Sequence, residues 1–168
     1  MANFDWHAER TDLSGLALLD RAPESEGIDL KAVRLYRQAR VRAQMVKYGM
    51  DAVILSDPVN IRYATGTRNM QVYSARNSAA RYLVLTANRS ILFEFTGALH
   101  LGEGYETVDE VRLADNVSFG VVGPDIGQRE KSWAAGMAKL ITELVGKEGA
   151  TLGLERLNAN VGIALRDH

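Results

Sequence analysis

No cysteine occurs in this chain of 168 residues. That excludes disulfides, thiolate metal sites and a cysteine nucleophile, and it fits a reducing compartment, so a cytoplasmic location is expected. No apolar run reaches the roughly 18 residues that a membrane span needs. The opening stretch from Met1 to Asp20 has acids and no basic segment ahead of an apolar one, so it does not read as a secretion signal. No Ser sits in a G-x-S-x-G elbow, and no glycine cluster matches a dinucleotide fingerprint. The three histidines, His7, His100 and His168, are far apart and in no metal-binding spacing. With a pI of about 6.3, a general affinity for nucleic acid is not expected.

The most telling absence is local. Between Asp57 and Glu94 lie 36 residues, Pro58 to Phe93, without a single Asp or Glu. The same interval holds five arginines, Arg62, Arg68, Arg76, Arg81 and Arg89, and no lysine. The chain as a whole carries a net charge of −1, so the residues outside the interval carry −6. A local excess of this kind suggests a surface prepared for an anion. Arginine without lysine favours recognition by a planar fork of donors over bulk charge.

At 46% hydrophobic and 24% charged residues, the composition is that of an ordinary globular domain. Residues 1–27 show no firm period, and Ala22 to Gly27 reads as a loop, so this segment is expected to be an extended arm. A helix is expected from Asp29 to Gly49, with Ala32, Leu35, Ala39, Ala43 and Val46 as the stripe packed on a sheet. Ala52–Ser56 reads as a buried strand, Ile61–Ala64 as a short helical turn, and Arg81–Thr86 with Ser90–Phe95 as a hairpin. Thr107–Arg112 and Asn116–Val122 are further strand candidates. A second long helix follows Gly123-Pro124-Asp125, with Trp133, Met137, Leu140, Ile141 and Leu144 on one face and Gly149 as its stop. Thr151–Glu155 reads as a strand, and Asn158 as the cap of a last helix. This order of elements gives an α/β fold with a mixed sheet flanked by helices. The last helix breaks off in mid-pattern, so a fragment of a longer protein, lacking its last strand, is expected.

The segment Tyr63–Asn77 is the candidate site. Arg68 or Arg76 is read as recognising a carboxylate by a bidentate fork and as facing a concave, solvent-reachable surface, with Tyr63, Asn69, Gln71 and Tyr73 shaping the pocket. The competing reading is a solvated loop whose arginines sit near acids of the surrounding surface. Arg62, beside a helical turn, and Arg81, at a strand start, are read as structural. Asp109, Glu110 and Asp115 are read as edging a strand, and Glu155 as a helix-side charge or an ion-pair partner rather than a catalyst.

Three stretches carry a family resemblance: Lys47-Tyr48-Gly49-Met50-Asp51-Ala52-Val53-Ile54-Leu55, then Asn60-Ile61-Arg62-Tyr63-Ala64-Thr65-Gly66, then the strand Arg81–Leu85. Together they resemble the N-terminal domain of the creatinase, prolidase and aminopeptidase P family, over about residues 28–168. The run with Asn69-Met70-Gln71 and Ala75-Arg76-Asn77 is more similar to the subgroup that includes dimethylsulfoniopropionate lyases. The resemblance implies a ribonuclease-H-like α/β domain in residues 28–168. It also implies that the catalytic centre, with two divalent metal ions held by two Asp, one His and two Glu, belongs to a separate C-terminal domain. No residue here matches those ligands, so this chain is expected to hold no catalytic residue, no metal and no cofactor of its own. The implied parent is an Xaa-Pro dipeptidase, an aminopeptidase, a creatinase-like hydrolase or a lyase. Its partners would be the missing catalytic domain, a second copy in a homodimer, and a small carboxylate-bearing substrate, with neither nucleic acid nor membrane. A freestanding small-molecule or protein-binding module is the alternative. A nuclease, the other activity that such a fold suggests, would need converging carboxylates, and Asp51, Asp57, Asp109 and Glu155 are scattered in sequence.

Overall fold

The computed structural model of the protein describes residues 27–68 and 80–168. The arm expected over residues 1–27 therefore lies outside the described residues except for Gly27. The chain forms α1 (Leu30–Lys47), β1 (Ala52–Leu55), α2 (Pro58–Thr65), β2 (Tyr82–Thr86), β3 (Ser90–Glu94), β4 (Glu110–Leu113), α3 (Phe119–Val122), α4 (Ile126–Val145), β5 (Leu152–Leu154) and α5 (Ala159–Arg166). The five strands make one sheet in the order β4-β3-β2-β1-β5. β2 is antiparallel to both β1 and β3, while β5 runs parallel to β1 and β4 parallel to β3. This is the expected mixed α/β architecture.

The period of two along each strand divides the core between the two faces of the sheet. Ala52, Ile54, Tyr82, Val84, Ile91 and Phe93 face α4 and α5, where Trp133, Ala134, Met137, Leu140, Ile141 and Val161 cover them. Val53, Leu83, Leu85 and Leu92 face the other way and meet Met45 of α1 with Ile61 and Ala64 of α2. Both faces are covered, so β2 and β3 are buried at every position and read as continuous apolar runs. Tyr82 stacks on Phe93 with ring centroids 4.6 Å apart and meets the Trp133 edge at 5.4 Å. The expected stripe of α4 is thus the buried one.

Four expectations are corrected. The stripe Ala32, Leu35, Ala39, Ala43 and Val46 of α1 does not pack on the sheet: all five are exposed, Val46 by 79%. The buried residues of α1 are Gln38 and Met45, with Arg34, Val41 and Arg42 half-buried beside them. The physical reason is polar. The hairpin end of the sheet and the connection preceding β4 offer backbone carbonyls that need donors. Gln38 Nε2 donates to Thr107 O at 2.6 Å, and Arg42 Nε donates to Thr86 O at 3.1 Å. Second, Asn116–Val122 is not a strand. Asn116 Oδ1 accepts from Ser118 N at 2.8 Å, a side-chain turn that competes with strand pairing, and a single helical turn follows. Third, α4 stops at Gly146, in the left-handed conformation with φ 76°, three residues before Gly149. Fourth, Asn158 precedes α5 but its side chain does not cap it. It donates instead to Glu130 Oε1 at 2.9 Å and, more weakly, to Val117 O at 3.4 Å.

Candidate functional site

The segment singled out by its arginines begins within α2, and α2 is fixed at both ends. At its start Asp57 is the N-cap, its Oδ1 accepting from Val59 N at 2.8 Å, and Pro58 occupies the first turn. Glu155, just past β5, adds a second carboxylate there. It accepts from Ser56 N at 2.8 Å, from Asp57 N at 2.7 Å and from the Asn60 side-chain amide. A carboxylate at a helix N-terminus satisfies donors that the helix leaves unpaired. Glu155 is therefore structural, as is Asn60 in the Asn60-Ile61-Arg62-Tyr63 motif. Ile61 is fully buried against the sheet, and Arg62 is exposed. Gly66 ends the helix at φ 82°, its N–H donating to Arg62 O.

Beyond Gly66 the chain is pinned from inside. Thr65 Oγ1 donates to Ile61 O at 2.7 Å, so the Thr67 hydroxyl, 2.7 Å from Thr65 Oγ1, must be the donor of that pair. Thr67 Oγ1 in turn accepts from Arg81 Nη2 at 2.7 Å, and Arg81 Nε donates to Glu94 Oε1 at 2.6 Å. The Thr107 hydroxyl donates to Thr65 O from the neighbouring connection. Every side chain in this network is buried, Arg81 to 1% and Glu94 to 0% exposure. Thr67 and Arg81 thus hold together the two ends of the interval 68–80. Arg81 is structural, as its position at a strand start implied.

On the outside, Arg34 of α1 lies across Gly66 and forms a two-pronged pair with Glu106, Nε to Oε1 at 2.5 Å and Nη2 to Oε2 at 3.0 Å. The Arg34 hydrogen bonds hold the Glu106 carboxyl below its ordinary range. The Arg34 guanidinium also sits 5.4 Å from the Tyr105 ring, and that of Arg37 sits 5.7 Å from the Tyr63 ring.

Of the residues expected to make the site, Tyr63 is half-buried beneath Arg37, and Arg68 is exposed immediately past the pinned Thr67. No acidic partner of Arg68 is found among the described residues. Asn69, Gln71, Tyr73 and Arg76 lie outside the described residues. Among the described residues a groove of about 610 Å³ lies between α4 and α5, and neither it nor two further grooves beside α4 is lined by Tyr63 or Arg68. Asp109 accepts from Ser90 N, Glu110 pairs with Arg112, and Asp115 pairs with Arg129, so these acids edge the sheet as read from the sequence. Among the described residues no three of His, Asp or Glu converge in a way that could hold a metal ion. The described residues do not fit the implied dinuclear centre. Reading the sequence missed the inner network of Thr65, Thr67, Thr107 and Glu94. One signal for it was present: the hairpin register that pairs Tyr82 with Phe93 places Arg81 opposite Glu94 one step further on.

The chain belongs to the Creatinase/Prolidase N-terminal domain family, whose model matches residues 37–166. Among curated proteins it is 29% identical over 119 residues to the dimethylsulfoniopropionate lyase DddP of Roseobacter denitrificans, covering 71% of this chain and 24% of that one. It is 26% identical over 115 residues to DddP of Roseovarius nubinhibens, covering 68% of this chain and 26% of that one. The chain thus spans about a quarter of the length of the curated relatives it matches. Among solved structures, an Xaa-Pro aminopeptidase from Streptococcus pyogenes matches with a TM-score of 0.44 at 15% identity, over 80% of this chain and 99% of that one. The Creatinase/Prolidase N-terminal domain of an X-Pro dipeptidase from the same organism matches with a TM-score of 0.44 at 16% identity, over 79% and 92%.

Proposed function

We propose that this chain is the non-catalytic N-terminal domain of a metal-dependent enzyme, a hydrolase of the Xaa-Pro peptidase and creatinase type or a lyase. In this reading it acts in the cytoplasm, and two divalent metal ions sit in a C-terminal catalytic domain. The segment Tyr63–Asn77 shapes the pocket for a small carboxylate-bearing substrate and contributes to the interface of a homodimer. The observation that carries the reading is the family match over residues 37–166. The two DddP relatives add dimethylsulfoniopropionate to the carboxylates worth testing. The inner network supports the rest: a recognising side chain must be held by a rigid root. Thr67, held by Arg81, is followed directly by the exposed Arg68.

The test is made in the full-length enzyme with dimethylsulfoniopropionate and with Xaa-Pro dipeptides as substrates. Losing a charge-assisted hydrogen bond of about 1.5–3 kcal/mol lowers kcat/KM by about one to two orders of magnitude. Arg68→Ala or Arg76→Ala should show that loss with metal content unchanged, and Arg→Lys should restore it only in part. Unchanged kcat/KM in both alanine variants would remove the carboxylate role and leave the segment as a dimer contact. A natural reading frame that ends without a catalytic domain would favour the freestanding binding module instead.

A further inference from the structure

α1 carries six basic residues, Lys31, Arg34, Arg37, Arg40, Arg42 and Lys47, and no acidic one. The chain's net charge is −1, so everything outside this helix sums to −7. Two of the six have work inside the fold, Arg34 holding Glu106 and Arg42 donating to Thr86 O and Gln38, and Lys31 adds its charge near Glu106. Arg37, Arg40 and Lys47 do not. Among the described residues none of them has a carboxylate within ion-pair distance, and each rests beside a tyrosine ring, of Tyr63, Tyr36 and Tyr48 respectively. The same helix exposes large apolar side chains: Leu35 by 42%, Tyr36 by 63% and Val46 by 79%. At 100° per residue, Leu35, Ala39, Ala43 and Val46 fall on one solvent-facing line, with Lys31 on one flank and Arg40 and Lys47 on the other. Scattered exposed apolar residues are ordinary, but an aligned set with basic flanks marks an interaction surface.

We propose that this solvent face of α1 docks an acidic amphipathic helix of a partner protein, with carboxylates meeting Lys31, Arg40 and Lys47 on either side of an apolar seam. Charge complementarity selects this occupant. A second copy using the same face would oppose basic flank to basic flank. A lipid surface calls for bulky Trp, Phe or Leu along the seam, and here alanine fills the middle. Ala39 and Ala43 instead let another helix approach closely, while Leu35 and Val46 supply the buried apolar contact. This proposal does not depend on the function proposed for the segment Tyr63–Asn77.

The experiment titrates the full chain with a synthetic helical peptide of Ala and Leu along one face and Glu on both flanks, by calorimetry and by backbone amide shifts. A peptide with Lys in place of Glu is the control. The expected result is saturable binding of the Glu peptide only, with shifts centred on Leu35 to Val46. Affinity should fall about tenfold or more in Arg40→Glu/Lys47→Glu and as salt screens the charges. Both substitutions are at exposed positions, so circular dichroism will confirm that the variant is folded. Equal binding of both peptides, equal binding by the doubly reversed variant, or shifts elsewhere would overturn the proposal. So would flotation with anionic vesicles, or self-association of the chain abolished by Leu35→Glu, since each names a different occupant.

Discussion

Removing Arg81 tests the account of the inner network most severely. Its guanidinium and the Glu94 carboxylate are exposed by only 1% and 0%, and they meet at 2.6 Å. Arg81→Met keeps an unbranched chain of similar length but strips Glu94 of its arginine and Thr67 of its donor. Removing one partner of a buried ion pair costs about 3–5 kcal/mol. That is a large share of the roughly 5–15 kcal/mol that stabilise a typical domain. For a chain of this size the melting temperature should fall by about 6–20 °C. The pair is not, on this argument, a large net source of stability. The double variant Arg81→Met/Glu94→Leu removes both charges and should recover most of the loss, to within about 1–2 kcal/mol of the parent. Urea unfolding followed by far-ultraviolet circular dichroism, with the slope checked for constancy, gives all four corners of the cycle. If Arg81→Met costs less than about 1 kcal/mol, or the two single losses simply add in the double variant, the two side chains are not coupled as described.

Three further outcomes are expected. Gly66→Ala should cost about 1–2 kcal/mol for the left-handed conformation at φ 82° alone. The new Cβ would also sit 2.1 Å from Arg34 Cδ, so the loss measured by thermal unfolding should shrink in an Arg34→Ala background. Ala43→Leu should leave stability within about 0.5 kcal/mol, because the site is exposed; a loss of about 1–3 kcal/mol would mean that the helix face is packed after all. Burial pushes the Tyr82 hydroxyl up to about 12 from its ordinary 10.0. The folded state therefore keeps the proton that the unfolded chain releases first. Stability should be intact below about pH 10 and fall by about 2–3 kcal/mol as pH rises towards 12, and Tyr82→Phe should flatten that decline in pH-resolved urea titrations.

The strands were legible because both sides of this sheet are buried, and their apolar runs leave little else to be. α4 was legible because Trp133, Met137, Leu140 and Ile141 are both the apolar line and the buried line. α1 was not, because in that helix the two lines part company. Beside the apolar contact of Met45 it meets a hairpin end and a connection, whose carbonyls Thr86 O and Thr107 O demand donors more strongly than the sheet demands alanine. An apolar period shows which residues avoid water in the average helix. It cannot show that a particular sheet edge needs an amide and a guanidinium. Asn116–Val122 failed for a related reason: Val117 is buried, but the Asn116 turn and the exposed Phe119 belong to a reversal of the chain, not to a ladder.

The acid-free interval also changes meaning once its arginines are placed. Read as a sum, its five positive charges suggest a broad basic surface. Two of them are answered by acids from outside the interval: Arg81 inside the protein by Glu94, and Arg89 at the surface by Glu110 at 3.5 Å. Glu94 is the residue that closes the interval in sequence, so the same acid both bounds the basic stretch and anchors it. Arg62 and Arg68 are the described arginines of the interval that have no acidic partner among the described residues. They do different things for geometric reasons. Arg62 lies within α2, whose position is set by Glu155, Asn60 and the buried Ile61. Arg68 directly follows Thr67, which the inner network holds, and it has no acidic partner among the described residues. A guanidinium can select a ligand by shape as well as by sign, because its donors form a planar fork. Substituting lysine for Arg68 therefore keeps the field and discards the fork, which makes that one exchange the sharpest way to separate recognition of a carboxylate from attraction to any anion.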